Sequence, residues 1–157
     1  MWDIDKLKKI GSGQCADVFH LNETKVLRKS RTKIDGFIAI LNLSSEQRDE
    51  YRLVKIFDMD NENKMWSVCE KLYQVNPDRF NIINGSWMKV NDFREIPIFV
   101  KETDHELSKI ISLGIKLFKD LRTLGYPVND LDLNRHNIMQ RSNGQLVLTD
   151  PISTLDY

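Results

Sequence analysis

Asp132-Leu-Asn-Arg-His-Asn-Ile-Met139 and the residues that follow it decide the fold of this chain. Apolar residues after Asn137 and before Thr149 flank Asn143-Gly144, a dipeptide typical of two-residue β-hairpin turns. Asn137 and Asp150 each lie six residues from that turn, so we expect them to face each other across the hairpin. Directly opposed strand residues have Cβ atoms roughly 5 Å apart, close enough for their side-chain oxygens to share one Mg²⁺. The sequence therefore predicts a Mg²⁺ site at Asn137 and Asp150.

The segment before this hairpin has the pattern of a long amphipathic helix. Thr103-Asp-His-Glu106 has the form of a capping box with Thr103 as N-cap, and Gly125 marks the end of the helix. Between them, apolar residues recur at helical spacing: Leu107, Ile110, Ile111, Leu117, Phe118, Leu121 and Leu124. A helix of about 20 residues would deliver the chain directly to Asp132.

The first 72 residues have the pattern of an antiparallel sheet. Five strand-like runs separated by polar turns lie between residues 10 and 72, the fourth of them over 52–58. A short helix is predicted over 35–43, and Ser44 has the sequence context of an N-cap for a second helix. A strand-rich N-terminal part therefore precedes the long helix and the hairpin.

Two glycines lie between the first two predicted strands. Gly11, Ser12 and Gly13 are followed by Ala16 and Val18. Glycines allow a backbone to approach a polyphosphate without obstruction by Cβ, and exposed N–H groups in such a turn can bind it. A plain hairpin turn has the same pattern, so both interpretations stay open at this point.

The composition favours one globular domain. The 157 residues are 41% apolar and include 23 basic and 23 acidic side chains, so the formal net charge is zero. This balance argues against a nucleic-acid-binding protein, because such proteins usually have a basic excess. Cys15 and Cys69 do not have the spacing of a disulfide framework or a metal site, and no apolar stretch is as long as a membrane span. We expect a soluble, cytoplasmic protein that contacts neither nucleic acid nor membrane.

Asp132 lies five residues before Asn137, which is the spacing between base and metal ligand in kinase catalytic loops. The whole chain resembles the protein-kinase-like superfamily, and within it the early serine/threonine protein kinases of T-seven-type bacteriophages. The motifs that support this resemblance occur in the order that those kinases have them: Ile10-Gly-Ser-Gly-Gln-Cys-Ala-Asp-Val18, Val26-Leu-Arg28, Asp35-Gly36, Asp78-Arg-Phe80, Asp132-Leu-Asn-Arg-His-Asn-Ile-Met139 and Leu148-Thr-Asp-Pro-Ile-Ser153.

The resemblance implies a single kinase-like domain of the α+β class over residues 1–157. A five-stranded antiparallel N-lobe would span 1–72 and a connector 73–102. A truncated, minimal C-lobe would span 103–157 and contain the catalytic loop and the metal-binding hairpin.

The resemblance also implies ATP and Mg²⁺ as cofactors, with Asp132 as the catalytic base and Asn137 and Asp150 as metal ligands. The turn formed by Gly11, Ser12, Gly13, Ala16 and Val18 would cover the phosphates. Either Arg28 or Lys29 would be the cation of the third strand, with Glu46 or Glu50 as a candidate acidic partner. Glu70 to Leu72 would offer backbone groups to adenine.

Three functions are compatible with these motifs. The first is a serine/threonine protein kinase that phosphorylates host proteins, with the transcription machinery as a candidate target, as part of host takeover and transcription shut-off. The second is a catalytically weak pseudokinase that binds and inhibits a host protein. The third is a small-molecule phosphotransferase. A homodimer through apolar surface of the short C-lobe is a further hypothesis.

Overall fold

A five-stranded antiparallel sheet forms the N-terminal part of the computed structural model, which describes residues 2–83, 104–133 and 136–154. The strands follow a short 3₁₀ helix at Ile4–Lys6 and lie in the order β1-β2-β3-β5-β4: β1 (Lys9–Ser12), β2 (Ala16–His20), β3 (Lys25–Ser30), β4 (Ile56–Met59) and β5 (Trp66–Glu70). The predicted α+β class with a five-stranded antiparallel sheet is therefore confirmed.

The two faces of this sheet have different surroundings. On one face Leu27 lies between Phe19 and Val68, and these three side chains form a small buried core. Arg28, one residue on, points to the opposite face because side chains alternate along a strand. There it lies between Val18 and Ser67. The second face carries the candidate site.

Two short helices connect β3 with β4. These are α1 (Phe37–Leu41) and α2 (Ser45–Glu50). Ser44 caps α2 as predicted: its hydroxyl accepts from the Gln47 N–H, and the Gln47 side chain accepts from the Ser44 N–H in return. The predicted fourth strand begins later than expected, because Arg52 has φ +52° and turns the chain before β4.

The long helix α3 (His105–Thr123) is present, but its N-terminus differs from the prediction. Asp104 is the N-cap, and its Oδ1 accepts from the Leu107 N–H at 3.0 Å. Thr103, the predicted cap, lies outside the described residues. Within the described residues, Glu106 pairs with Arg52 and accepts from the N–H of Leu146. Asp104 also binds Arg79 of the 3₁₀ helix Pro77–Ile83.

Two small sheets follow α3. One has the order β6-β8-β9 and contains β6 (Tyr73–Gln74), β8 (Ile138–Gln140) and β9 (Leu146–Leu148). The other pairs β7 (Val128–Leu131) with β10 (Ile152–Thr154). The β8–β9 hairpin was predicted; β6, β7 and β10 were not.

The register of the β8–β9 hairpin corrects the prediction by one residue. Ile138 pairs with Leu148, and Arg141 N donates to Gln145 O at 2.9 Å, so the loop has three residues rather than two. Gly144 takes the left-handed position that such a loop requires, with φ +86°. Asn137 consequently lies opposite Thr149, and its predicted direct opposition to Asp150 is wrong.

The main core lies between α1, α3 and the small sheets. Its most fully buried side chains are large and aliphatic or aromatic: Phe37, Ile40, Leu53, Leu107, Ile110, Ile111, Leu117, Leu121, Ile138 and Leu146. Each such side chain stabilises the fold by roughly 1.5–3 kcal/mol relative to full exposure. Within the described ranges, none of the helices combines the length and apolar character needed to cross a membrane.

Candidate functional site

Three hydrogen bonds bring the segments of Asp132, Asn137 and Asp150 together. The Asp132 N–H donates to Pro151 O at 2.7 Å, which places Asp132 beside the residue that follows Asp150. The Asn137 Nδ2 donates to Asp132 O at 2.8 Å, and the Thr149 N–H donates to Asn137 O at 2.9 Å. The three predicted residues therefore share one locality despite the corrected register.

The helix α3 sets the position of this loop. Gly114 faces Leu133, and a Cβ added at Gly114 would come within 2.9 Å of Leu133 Cδ2. Leu133 is buried, whereas the neighbouring Asp132 is exposed. The close approach of helix and loop fixes Leu133 in the core and leaves Asp132 at the surface of the site.

An ion pair joins this locality to the five-stranded sheet. The Arg28 Nη2 donates to Asp150 Oδ2 at 2.7 Å, although 122 residues separate the two in sequence. Arg28 is 9% exposed and points into the site, whereas Lys29 is exposed on the other face of the sheet. Of the two predicted cations, the structure therefore places Arg28 in the site and Lys29 outside it.

Arg28 also binds Asp35, which the sequence places in the Asp35-Gly36 motif without giving it a role. Its Nη1 and Nη2 donate to Asp35 Oδ2 and Oδ1 at 2.6 and 3.1 Å. The Ser30 hydroxyl joins this group, since it accepts from Arg28 Nη1 and donates to Asp35 Oδ2. The Arg28 guanidinium stacks on the Phe37 ring, with Cζ 4.1 Å from the ring centroid. Arg28 is thus held rigidly.

The carboxylate of Asp150 lacks part of the hydrogen bonding and neutralisation that it needs. Its Oδ1 is shielded from solvent and, among the described residues, is the buried side-chain oxygen without a hydrogen-bond partner. Burial of the carboxylate raises the pKa of Asp150 to about 6; Arg28 lowers it, and the charges of Asp35 and Asp132 raise it. An orphaned buried oxygen is costly, so this site favours an added proton or cation.

The donor set fits a magnesium ion. Because Asn137 donates through Nδ2, its Oδ1 is the atom left to ligate a cation. Together with Asp150 Oδ1, this makes a set of oxygen ligands, which Mg²⁺ prefers. A denser cluster of three His, Cys, Asp or Glu side chains around a metal position does not occur in the described ranges. A magnesium ion here would keep several waters, as is usual for this ion.

The predicted glycine turn lies between β1 and β2 and is closed by its own hydrogen bonds. The Gly13 N–H donates to Ala16 O at 2.8 Å, and the Ser12 hydroxyl donates to Asp17 Oδ1 at 2.6 Å. Gly11 pairs with Val18, on the same face of the sheet as Arg28. Neither Gly11 nor Gly13 has a positive φ, so backbone strain does not explain these glycines.

Crowding does not explain the glycines either. A Cβ at Gly13 would meet nothing closer than Ala16 O at 3.8 Å, and a Cβ at Gly11 would lie 3.6 Å from Val18 Cβ, an ordinary contact. The turn is held from outside by Arg31, which donates to the carbonyls of Gly13 and Gln14. Gly11 and Gly13 leave open the space that their side chains would take.

The segment expected to bind adenine, Glu70 to Leu72, has two different parts. The Glu70 side chain accepts from Arg141 Nε and Nη2 at 2.9 and 2.7 Å, which ties β5 to the β8–β9 hairpin. Burial raises the pKa of Glu70, but the hydrogen bonds from Arg141 and the Lys55 N–H outweigh it, so the pKa is lowered overall. Leu72 is half-buried and lies between β5 and β6.

The predicted acidic partners of the strand cation lie elsewhere. Glu50 is exposed and pairs with Lys116 at 3.1 Å, and Glu46 is exposed at the start of α2. Asp35, rather than Glu46 or Glu50, is the acidic partner of Arg28. The sequence signal for Asp35 is its place directly before Gly36. At Gly36 the chain passes so close to β10 that an added Cβ would lie 2.1 Å from Ile152 O.

No protein-family model matches the sequence, and no curated protein matches it significantly.

Proposed function

We propose that this chain is a phosphotransferase of the protein-kinase-like superfamily, which binds ATP with Mg²⁺ and phosphorylates serine or threonine hydroxyls of host proteins. The observation that carries the proposal is the Arg28–Asp150 ion pair, which joins the sheet to a loop and hairpin bearing Asp132 and Asn137. A cation, a partly buried carboxylate, an amide and a second carboxylate in one locality are the groups that phosphoryl transfer needs.

The order of the elements supports this proposal. A five-stranded antiparallel sheet with a glycine turn precedes a long buried helix, and a loop and a hairpin follow. This is the order that the sequence motifs imply for a kinase-like fold. In such a fold the nucleotide lies between the sheet and the hairpin, so Val18 and the half-buried Val26 on the Arg28 face would contact the adenine ring.

Asp132 and Asn137 have distinct roles in this proposal. Asp132 is exposed and would accept the proton of the attacking hydroxyl. Asn137 would use Oδ1 on the metal while its Nδ2 holds the Asp132 backbone in place. Bound Mg²⁺ would supply neutralisation of the phosphate charge. Little covalent chemistry is then required of the protein, because positioning and electrostatics dominate this reaction.

A pseudokinase that binds a host protein is the second candidate. It is favoured by the way Arg28 is engaged, since its Nη1 and Nη2 donate to Ser30, Asp35 and Asp150 rather than pointing to an open space. In this case nucleotide binding would be weak or absent and the chain's effect on its target would not need phosphoryl transfer.

Asp132→Asn tests the first function, with Asp130→Asn as a matched control. Both changes remove one carboxylate from the same part of the chain, but Asp130 lies in β7, and its side chain accepts from the N–H of Leu131. With labelled ATP and a bacterial lysate, we expect Asp132→Asn to lower labelling of protein bands by roughly 10²–10⁴-fold, the usual contribution of a general base. Asp130→Asn should label at the wild-type rate.

The outcomes separate the candidates. Undiminished labelling by Asp132→Asn would contradict the assigned base. Absence of labelling by the wild type, together with retained effect on the target, would favour the pseudokinase. Label that appears only in small molecules would exclude a protein acceptor.

A further inference from the structure

The hydrogen bonds of Arg28 are unevenly divided between its two carboxylates. Asp35 takes one bond from Nη1 and one from Nη2, whereas Asp150 takes a single bond from Nη2. The remaining Nη1 bond goes to Ser30. Arg28 is therefore anchored chiefly to Asp35, in the paired geometry that a guanidinium and a carboxylate prefer.

Asp35 is fully satisfied, and Asp150 is not. Besides Arg28, Asp35 accepts from the Ser30 hydroxyl at 2.5 Å and from the Phe37 N–H at 3.0 Å, so each of its oxygens has two donors. Asp35 and Ser30 are each only 2% exposed. At Asp150 one oxygen has a single donor and the other has none. Of the two carboxylates, Asp150 is therefore the one that needs a further hydrogen-bond donor or cation.

Charge counting leads to the same conclusion. One guanidinium faces two carboxylates, so Arg28, Asp35 and Asp150 together carry a formal charge of −1. If Asp35 were absent, Arg28 and Asp150 would form a neutral pair. Because Asp35 is buried and completely hydrogen-bonded, the surplus negative charge lies at Asp150, beside Asp132.

We propose that Asp35, supported by Ser30, is a positioning residue that holds Arg28 away from full engagement with Asp150 and so leaves Asp150 able to bind a divalent cation. The inference rests on the proposed function only in taking Asp150 as the cation ligand. It assigns to Asp35 and Ser30 a role in metal affinity although neither touches the metal.

Asp35→Asn is the direct test, with Mn²⁺ alone as the probe. The isosteric amide removes the charge, frees Arg28 for Asp150 and should weaken Mn²⁺ binding by roughly tenfold, the order of magnitude for loss of one nearby negative charge in a well-screened site. Saturable paramagnetic broadening of the amide signals of Asn137 and Thr149 measures the affinity. Asp58→Asn, which removes one exposed carboxylate from β4, should leave the affinity unchanged.

Ser30→Ala is the second variant, in case Asp35→Asn does not fold. It keeps all charges and removes only the hydroxyl that holds Arg28 and Asp35 together. We expect a smaller loss of Mn²⁺ affinity, about two- to threefold, with recovery in Ser30→Thr, which restores the hydroxyl. A merely structural hydroxyl would lower the unfolding midpoint without changing the Mn²⁺ affinity of the folded protein.

The outcome of these Mn²⁺ measurements can be distinguished from the outcome of the test of the proposed function. Wild-type Mn²⁺ affinity in folded Asp35→Asn and Ser30→Ala would overturn the inference, as would the absence of saturable broadening in the wild type. Weaker binding in both variants supports it. Phosphoryl transfer by the wild type is measured independently with labelled ATP, so a chain that binds Mn²⁺ as expected but transfers no phosphate would refute the kinase alone.

Discussion

Replacement of Asp150 by Asn should stabilise the metal-free protein at pH 7 while abolishing divalent-ion binding. The wild-type carboxylate has a buried, unpartnered oxygen and shares its one cation with Asp35. The amide removes this uncompensated charge and leaves Arg28 in a neutral pair with Asp35. A binding residue that costs stability in the absence of its ligand is a common feature of functional sites.

The magnitude follows from the pKa of Asp150. Burial raises it from an ordinary value of 3.8 to about 6. A shift of about two units corresponds to roughly 3 kcal/mol between the charged and neutral forms. The side chain is 31% exposed, and solvent screening reduces this figure. We therefore expect about 1–2 kcal/mol of stabilisation, or about 2–8 °C in Tm for a chain of this size.

The sign of the pH dependence provides the check. Because the folded-state pKa of Asp150 is higher than the unfolded one, the folded protein binds the proton more tightly between about pH 4 and pH 6. The stability cost is fully present above pH 6 and is relieved as the pH falls towards 4. The advantage of Asp150→Asn over the wild type should thus be largest at pH 7–8 and small near pH 4.5.

Urea unfolding of both proteins in chelator, from pH 4.5 to pH 8, measures this difference. Groups whose pKa values are lowered, such as Asp104 and Glu70, are present in both proteins and cancel. A variant less stable than the wild type at pH 7, or an advantage that does not change with pH, would refute the reasoning.

Three further changes test the scaffold by urea unfolding. Gly36→Ala should cost about 1–3 kcal/mol, since its Cβ would meet Ile152 O at 2.1 Å; wild-type stability would contradict this close approach. Glu70→Gln should cost about 1–2 kcal/mol through loss of the paired bond to Arg141, and the cost should fade below the lowered Glu70 pKa. Asp104→Ala should cost about 1–2 kcal/mol and fray the start of α3, visible as faster amide exchange there.

The larger elements of this fold could be predicted because their signals are local. The periodicity of α3 and the capping residues around Ser44 each lie within a few turns of chain. The five strand-like runs and the polar turns between them are likewise recognised from residues close together in sequence. The predicted end of α3 was wrong. Asp104 caps the helix one residue after the predicted cap, because its side chain also binds Arg79 from a distant segment.

The hairpin register shows why a correct motif can give a wrong contact. Asn143-Gly144 fits a two-residue turn, which needs positive φ at both residues, and equally a three-residue loop with glycine in the left-handed position. Gly144 alone has a positive φ, so the second form is present. A slip of one residue turns a strand side chain to the other face. The predicted Asn137–Asp150 opposition failed for this reason.

The candidate site forms although Asn137 and Asp150 are not directly opposed. Asp132 is joined to Pro151 through its own backbone, and Asn137 reaches the Asp132 carbonyl through its side chain. These two bonds bring the three residues into one locality.

The role of Asp35 could not be predicted in the same way, since charge balance belongs to the tertiary structure. The sequence is neutral overall, and its basic and acidic residues are equal in number. Only folding places Arg28 between a fully hydrogen-bonded Asp35 and a partly satisfied Asp150, 122 residues further along the chain. A local deficit of one positive charge arises within a neutral chain, and a site with that deficit, lined by oxygen atoms, is suited to a divalent cation. Its chemistry therefore follows from how the charges are shared, and a substitution at Asp35 should alter metal binding even though Asp150 is unchanged.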